Sequence, residues 1–289
     1  MEPSVADERT LHVETLGLGG LLAEGAGEGA APFEDRERVV LVHGFTQSGR
    51  SWQKVADELS PTNEVLLPDL PGHGRSPLAT GDFPDSARLL GESCGRASYV
   101  GYSLGGRCCL QLCFELPDLV ERLVVVSATA GIEDSEARIE RAGSDSALAD
   151  RLEAEGPDGL AAFIDEWLAG PLFAHLDGEA ADRSSRLVNT GRGLASALHH
   201  LGVGTQLPLW ERLRELSMPV LVIAGEEDAA YVELGERMAA AIGENALFVL
   251  VPGAGHAVPF EQPDTFARLV SSFVRGEVGP GPLNETSSA

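Results

Sequence analysis

The segment Gly101-Tyr102-Ser103-Leu104-Gly105-Gly106 limits what this chain can fold into more than any other. The residues before it, Ala97–Gly101, read as a strand, and Leu104–Leu116 after it have helical spacing that stops at Pro117. A chain that turns directly from strand to helix, with glycines on both sides of a serine, forms a sharp elbow. Side chains at the glycine positions would collide across so tight a turn. The serine then protrudes at the C-terminal edge of a sheet, facing the free N–H groups and positive dipole end of the following helix.

Such an elbow needs a sheet behind it, and the flanking sequence supplies one. Val39–Val42, ending at His43-Gly44-Phe45, is a continuous apolar run, as are Leu123–Ser127, Pro219–Ala224 and Ala246–Val251; Glu64–Leu67 adds a short strand. Continuous rather than alternating apolarity marks strands buried on both faces. Helical spacing lies between or after them at Trp52–Leu59, Ser86–Cys94 and Asp264–Val274. Strands alternating with helices predict an α/β fold with a mostly parallel central sheet covered by helices.

The rhythm changes between residues 131 and 207. Amphipathic helix patterns dominate there, at Glu136–Arg141, Ala147–Glu155, Leu160–Ala169, Glu179–Leu187 and Leu194–Leu201, with no strand-like run between them. The organisation expected is an acidic, Gly/Ala-rich extension over 1–37 with an early strand at Thr10–Leu16, and core over 38–130. A helical cap follows over 131–207, then core again over 208–275, and a disordered Gly/Pro/Ser-rich tail over 276–289. Glycines in Gly17–Ala31 follow no strong strand and precede no helix pattern, so they do not read as a dinucleotide loop.

Charge excludes several function classes. With 21 Lys and Arg against 45 Asp and Glu, the net charge of −24 repels nucleic acid and anionic membrane surfaces. No apolar run approaches the roughly 18 residues of a spanning helix. The start MEPSVADERT lacks the basic and apolar regions of a secretory signal, so a soluble, cytoplasmic chain is expected. The carboxylates form no D-x-D-x-D-G calcium loop. Cys94, Cys108, Cys109 and Cys113 lack metal-pair spacing and read as buried free thiols. Nothing in the sequence sets the oligomeric state.

The elbow serine needs an acid and a histidine, in that chain order. Asp228, in Ala224-Gly225-Glu226-Glu227-Asp228, follows a core strand and reaches the same sheet edge; Glu226 and Glu227 are rival acids. His256, in Pro252-Gly253-Ala254-Gly255-His256, follows the next strand. His175, His199 and His200 lie in the helical segment and read as surface or substrate contacts. Gly44 lets the backbone approach the site, so the Phe45 N–H pairs with the Leu104 N–H as an oxyanion hole. His43 has no second ligand at a matching spacing, and Asp69 to Ser76, rich in glycine, reads as a structural turn. No metal site is expected.

Together these elements resemble the α/β-hydrolase superfamily over residues 38–275, with an inserted helical cap. Further motifs narrow the resemblance: Gly105-Gly106-Arg107, Glu136-Ala137-Arg138-Ile139-Glu140-Arg141, and Trp167 followed by Gly170-Pro171-Leu172-Phe173. Arg186-Leu187-Val188-Asn189, Gly202-Val203-Gly204-Thr205-Gln206 and Leu209-Trp210 continue the succession. It is similar to the menaquinone-pathway lyase family, 2-succinyl-6-hydroxy-2,4-cyclohexadiene-1-carboxylate synthase.

That resemblance implies elimination of pyruvate from an enolpyruvyl cyclohexene carboxylate, a small anionic substrate, with no metal or organic cofactor. It also implies the roles: Ser103, made basic by His256 and Asp228, abstracts a ring proton, while Phe45 and Leu104 N–H groups hold the oxyanion. Arg107, Arg141 and Arg186 bind substrate carboxylates, and Tyr102 and Trp167 line the pocket. An arginine on the catalytic helix suits an anion better than a neutral ester. Arg138, Arg141 and Arg186 could instead make helical i,i+4 pairs with nearby glutamates. Two other readings stay open: an ester or thioester hydrolase working through an acyl-enzyme, and a ligand receptor that kept the fold without turnover.

Overall fold

The structure, a computed structural model, describes residues 10–17, 37–178 and 180–279. Most of the N-terminal extension and residues 280–289 of the tail therefore lie outside the described residues. Seven strands among the described residues form one sheet: β1 Val13–Leu16, β2 Arg38–Val42, β3 Glu64–Pro68, β4 Ala97–Tyr102, β5 Val120–Val126, β6 Val220–Gly225 and β7 Ala246–Val251. Their order across the sheet is β1-β3-β2-β4-β5-β6-β7, with β1 antiparallel to β3 and every other pair parallel.

Most of the continuous apolar runs have the physical cause expected of them; β7, at the edge of the sheet, is instead half-buried and leaves Leu250 exposed. In β4 and β6 every residue is buried, because helices cover both faces. On one face, α2 (Phe83–Cys94), α3 (Leu104–Glu115) and α7 (Ala229–Ile242) bury Leu90, Leu110, Leu112 and Met238 with Val40, Tyr99 and Val125. On the other, α1 (Gln53–Leu59) and α9 (Pro263–Val274) pack Val55, Leu59, Phe266 and Phe273 against Leu41, Val100 and Ile223. All four cysteines are free and buried, and burial pushes the Cys94 and Cys108 thiols up to about 12, so they pack as neutral groups.

Strand order reverses at β2. The chain goes from β2 to β3 on one side and then to β4 on the other, so the loops leaving β2 and β4 diverge above the sheet. A crevice at such a switch point, outside the carboxyl ends of the strands, is where open α/β sheets bind ligands.

Several elements differ in extent from their sequence patterns. α2 begins at Phe83 rather than Ser86 because Asp82 and Asp85 form a reciprocal capping box ahead of it. Trp52–Leu59 divides into a 3₁₀ turn, Gly49–Trp52, and α1. In the cap, the patterns at 136–141, 147–155 and 160–169 join into α4, Ser135–Leu168, interrupted at Gly156 (φ 63°, ψ −158°). An Arg141–Asp145 ion pair at 2.8 Å and a Ser144 hydroxyl bonded to the Glu140 carbonyl carry the helix through its polar stretch. The 179–187 pattern begins at a residue outside the described set and yields only α5, Arg183–Arg186, because Asp182 sits left-handed at φ 42°. α6, Gly191–Leu201, packs Leu194 and Leu198 onto Leu152, Phe163 and Ile164 of α4. α8 is the short helix Val258–Glu261. No helix among the described residues is long and apolar enough to cross a membrane.

Candidate active site

Ser103 stands between the end of β4 and the start of α3 with φ 52° and ψ −109°, a strained geometry for a residue with a side chain. Its N–H donates to the Val126 carbonyl at 2.9 Å, which fixes the elbow to β5. The glycines are required by contact. A Cβ at Gly101 would lie 2.4 Å from the Gly105 carbonyl oxygen, and one at Gly105 would lie 2.1 Å from that of Val42.

His256 follows β7 and is buried. Its Nε2 lies 3.3 Å from Ser103 Oγ and its Nδ1 lies 2.7 Å from Asp228 Oδ2. With Asp228 ionised, Nδ1 carries the proton and Nε2 is free to accept one from Ser103. Of the three acids after β6, Asp228 alone turns inward; Glu226 and Glu227 are exposed, and Glu226 accepts the Gly253 N–H instead. The aromatic ring of Tyr231, one turn into α7, meets the imidazole edge-on at 4.5 Å.

A cavity of about 210 Å³ opens beside Ser103, with Phe45, Leu104, Arg107, Arg141 and Trp167 in its wall. Neither the Phe45 nor the Leu104 backbone N–H has an acceptor among the described residues, as an oxyanion hole requires. Trp167 stands edge-on to the Phe45 ring at 5.1 Å, so the cap touches the oxyanion loop directly.

The arginines differ in their surroundings. Arg107 is buried, and its guanidinium donates to the Leu201 carbonyl at 2.8 Å, the Gly202 carbonyl at 3.4 Å and Gln206 Oε1 at 3.3 Å. No carboxylate among the described residues pairs with it, and burial pulls its pKa down. Held by neutral oxygens and the face of the Phe83 ring, this buried cation keeps an uncompensated charge that an anion entering the cavity would share. Arg141 makes an i,i+4 pair with Asp145, an aspartate rather than one of the glutamates expected, and reaches the same cavity. Arg138 instead donates to the Ile132 and Glu133 carbonyls.

Two expected pocket residues are not brought to this wall. Tyr102 is buried beneath it, its ring 5.5 Å from that of His256 and 5.4 Å from that of Phe260. As the residue next to Ser103 it points to the opposite side. Arg186 is buried too, bonded to Thr46 Oγ1 and, at 2.8 Å, to the Ala181 carbonyl. His175 is exposed and His199 faces Asp150 at 3.9 Å, away from the serine.

Tyr231, Ser127, Thr129 and Asp145 also line the cavity and carry no motif. Tyr231 is recoverable in hindsight as the residue one helical turn after the triad acid. His43 is satisfied structurally: Nδ1 meets the Gly44 carbonyl at 2.8 Å, and Nε2 accepts the Leu70 N–H at 2.9 Å. No cluster of metal-ligating side chains occurs among the described residues.

A parallel sheet, a strained serine elbow and a Ser–His–Asp relay under a helical cap define an α/β-hydrolase-fold enzyme. The chain belongs to the alpha/beta hydrolase family, whose profile matches residues 39–269. Within it the similarity is to particular proteins. A Bacillus subtilis (strain 168) relative is 35% identical over 252 residues, covering 82% of this chain and 90% of its own. A Salmonella paratyphi B protein named 2-succinyl-6-hydroxy-2,4-cyclohexadiene-1-carboxylate synthase is 33% identical, over 80% of this chain and 93% of its own. Among solved structures, MenH from S. aureus superposes with TM-score 0.80 at 27% identity, covering 92% of this chain and 98% of that one. A malate-bound thermophilic esterase from Thermogutta terrifontis follows at TM-score 0.73 and 26% identity, covering 92% of this chain and 93% of that one.

Proposed function

We propose that this protein is a carbon–oxygen lyase that eliminates pyruvate from 2-succinyl-5-enolpyruvyl-6-hydroxy-3-cyclohexene-1-carboxylate, giving 2-succinyl-6-hydroxy-2,4-cyclohexadiene-1-carboxylate. The observation that carries this reading is Arg107: a buried guanidinium without a carboxylate, one helical turn from Ser103 and in the same cavity. It suits a substrate bearing carboxylates and is wasted on a neutral ester. The named Salmonella relative supports the same reaction.

His256 takes the Ser103 proton through Nε2 while Asp228 holds Nδ1. Ser103 Oγ takes the C2 ring proton, the C–H electrons form the C2=C3 double bond, the C3=C4 pair moves to C4=C5, and the C5–O bond to the enolpyruvyl group breaks. Pyruvate leaves as its enolate and is then protonated. Negative charge gathers on a substrate oxygen as the proton departs, and the Phe45 and Leu104 N–H groups stabilise it. Arg107 and Arg141 hold carboxylates, and Trp167 covers the site. In this scheme the substrate is a small anion and no acyl-enzyme forms.

The test is an ultraviolet assay with the enolpyruvyl intermediate generated in situ, pyruvate followed separately, and no-enzyme and Ser103→Ala controls for spontaneous elimination. Acceleration of both signals by wild type alone supports the lyase. A second reading, a serine hydrolase forming an acyl-enzyme, is favoured by the same Ser103–His256 geometry. A wild type that matches the controls yet gives a burst with short aryl esters selects it.

A further inference from the structure

The strands β4 and β5 end alike. Tyr102 pairs with Val126 in the parallel register, so the next residues, Ser103 and Ser127, stand side by side, one strand apart. Both have left-handed backbones, with φ 52° at Ser103 and 47° at Ser127. Non-glycine residues are strained there, and such strain persists where surrounding structure imposes it, most often at functional sites. The Ser127 backbone is held by its N–H, which donates to the Ile223 carbonyl at 2.9 Å.

The two hydroxyls differ in one respect. Ser103 Oγ has His256 as its partner, whereas Ser127 Oγ is buried with no hydrogen-bond partner among the described residues, in a residue only 2% exposed. A buried hydroxyl without a partner destabilises the fold relative to alanine. No described residue bonds it, yet Ser127 belongs to the wall of the cavity that holds Ser103 and Arg107. A strained backbone and an unused hydroxyl at one position both disfavour the free protein. The hydroxyl is accounted for if its partner is an oxygen of the bound substrate, and the strained backbone sets it beside Ser103.

We propose that Ser127 is a specificity-determining residue. Its hydroxyl hydrogen-bonds an oxygen substituent of the substrate, a hydroxyl or carboxylate carried next to the atom on which Ser103 acts. The inference deepens the lyase reading and rests on it for the substrate's identity. A site built to bond a substrate oxygen discriminates strongly against analogues lacking it, because its own polar group is then left unpaired. The substrate class is therefore an oxygenated carboxylic acid rather than a plain alkyl or aryl ester.

Ser127→Ala removes only the hydroxyl, and Ser127→Gly also relieves the left-handed strain. If the hydroxyl serves the substrate, both variants melt at or above the wild-type temperature while kcat/KM falls at least tenfold on the enolpyruvyl substrate. A kcat/KM within twofold of wild type for Ser127→Ala would overturn the inference. So would a loss of several degrees in melting temperature by both variants, since the hydroxyl would then be holding the fold. If wild type is no faster than Ser103→Ala on that substrate, the lyase reading has failed. The same comparison on 4-nitrophenyl hydrogen succinate, an anionic ester, then decides Ser127 by the same tenfold and twofold limits.

Discussion

The charge relay and the buried arginine make separable demands on single residues. Asp228 accepts the His256 Nδ1 proton at 2.7 Å, so Asp228→Asn disturbs the imidazole tautomer while leaving the fold in place. Loss of the equivalent acid in serine relays lowers kcat about 10⁴-fold, and a drop of that order is expected here, with KM nearly unchanged and circular dichroism identical to wild type. Arg107 should behave differently, because its guanidinium also serves three oxygens at the end of α6. Arg107→Met is expected to raise KM for the anionic substrate at least tenfold and to cost about 1–3 kcal/mol of stability from the abandoned acceptors. Steady-state kinetics and thermal melting read the two effects independently. A variant with normal KM and lowered stability would show that Arg107 is only a strut.

Between elements, the decisive connection joins the cap to the oxyanion loop. Thr46, next to Phe45, is a β-branched residue at φ 68°, and such a conformation needs outside support. Asn189, just after α5, supplies it: its Nδ2 donates to the Thr46 carbonyl at 2.7 Å, and its Oδ1 accepts the Gly74 N–H at 2.8 Å. Arg186 adds a bond to the Thr46 hydroxyl. Asn189→Ala should therefore loosen the loop that positions the Phe45 N–H, lowering kcat roughly tenfold with a smaller change in KM. Hydrogen exchange over residues 44–48 and 72–76 should rise in parallel, and unchanged exchange would break the connection. The sequence speaks to some of this and is silent on the rest. Buried strands are legible because helices on both faces demand unbroken apolarity, and Ser103, Asp228 and His256 are legible because each follows an apolar strand, in the last case the half-buried edge strand β7. The destination of Arg186 is not, since a cap side chain's partner depends on how two distant loops meet. Tyr102 faces away from the cavity for a local reason, the alternation of neighbouring side chains, whereas Ser127 and Tyr231 carry no spacing signal at all.

At the scale of the whole molecule, two buried histidines set how the fold responds to acid. His43 and His73 meet edge-to-face with ring centroids 5.0 Å apart in the loops that leave β2 and β3. His43 uses both nitrogens as a neutral ring, and protonating Nε2 would expel the Leu70 N–H it accepts. His73 bonds the Pro71 carbonyl through Nδ1 at 3.1 Å and buries an Nε2 with no partner among the described residues. Burial, opposed by the Gly44 carbonyl and helped by Arg186, pushes His43 down from 6.5 to about 4. Burial, reinforced by His43 itself, pushes His73 down from 6.5 to about 3. The unfolded chain thus binds more protons than the native one below pH 6.5. Stability is complete above that value and is lost as pH falls, until each folded ring protonates near pH 4 and pH 3. At pH 5 each ring has removed roughly 2 kcal/mol, about 4 kcal/mol together against a total of about 5–15 kcal/mol for a typical protein. Protonation of carboxylates in a chain of net charge −24 also changes stability with pH, so wild type alone does not isolate the rings. His73→Phe removes one of them and the orphaned nitrogen with it. Urea midpoints from pH 8 to pH 5 should hold level to about pH 7 and then fall in wild type, with a fall shallower by about half in His73→Phe. Equal slopes in the two proteins would mean that water reaches the paired rings and that they titrate as ordinary histidines.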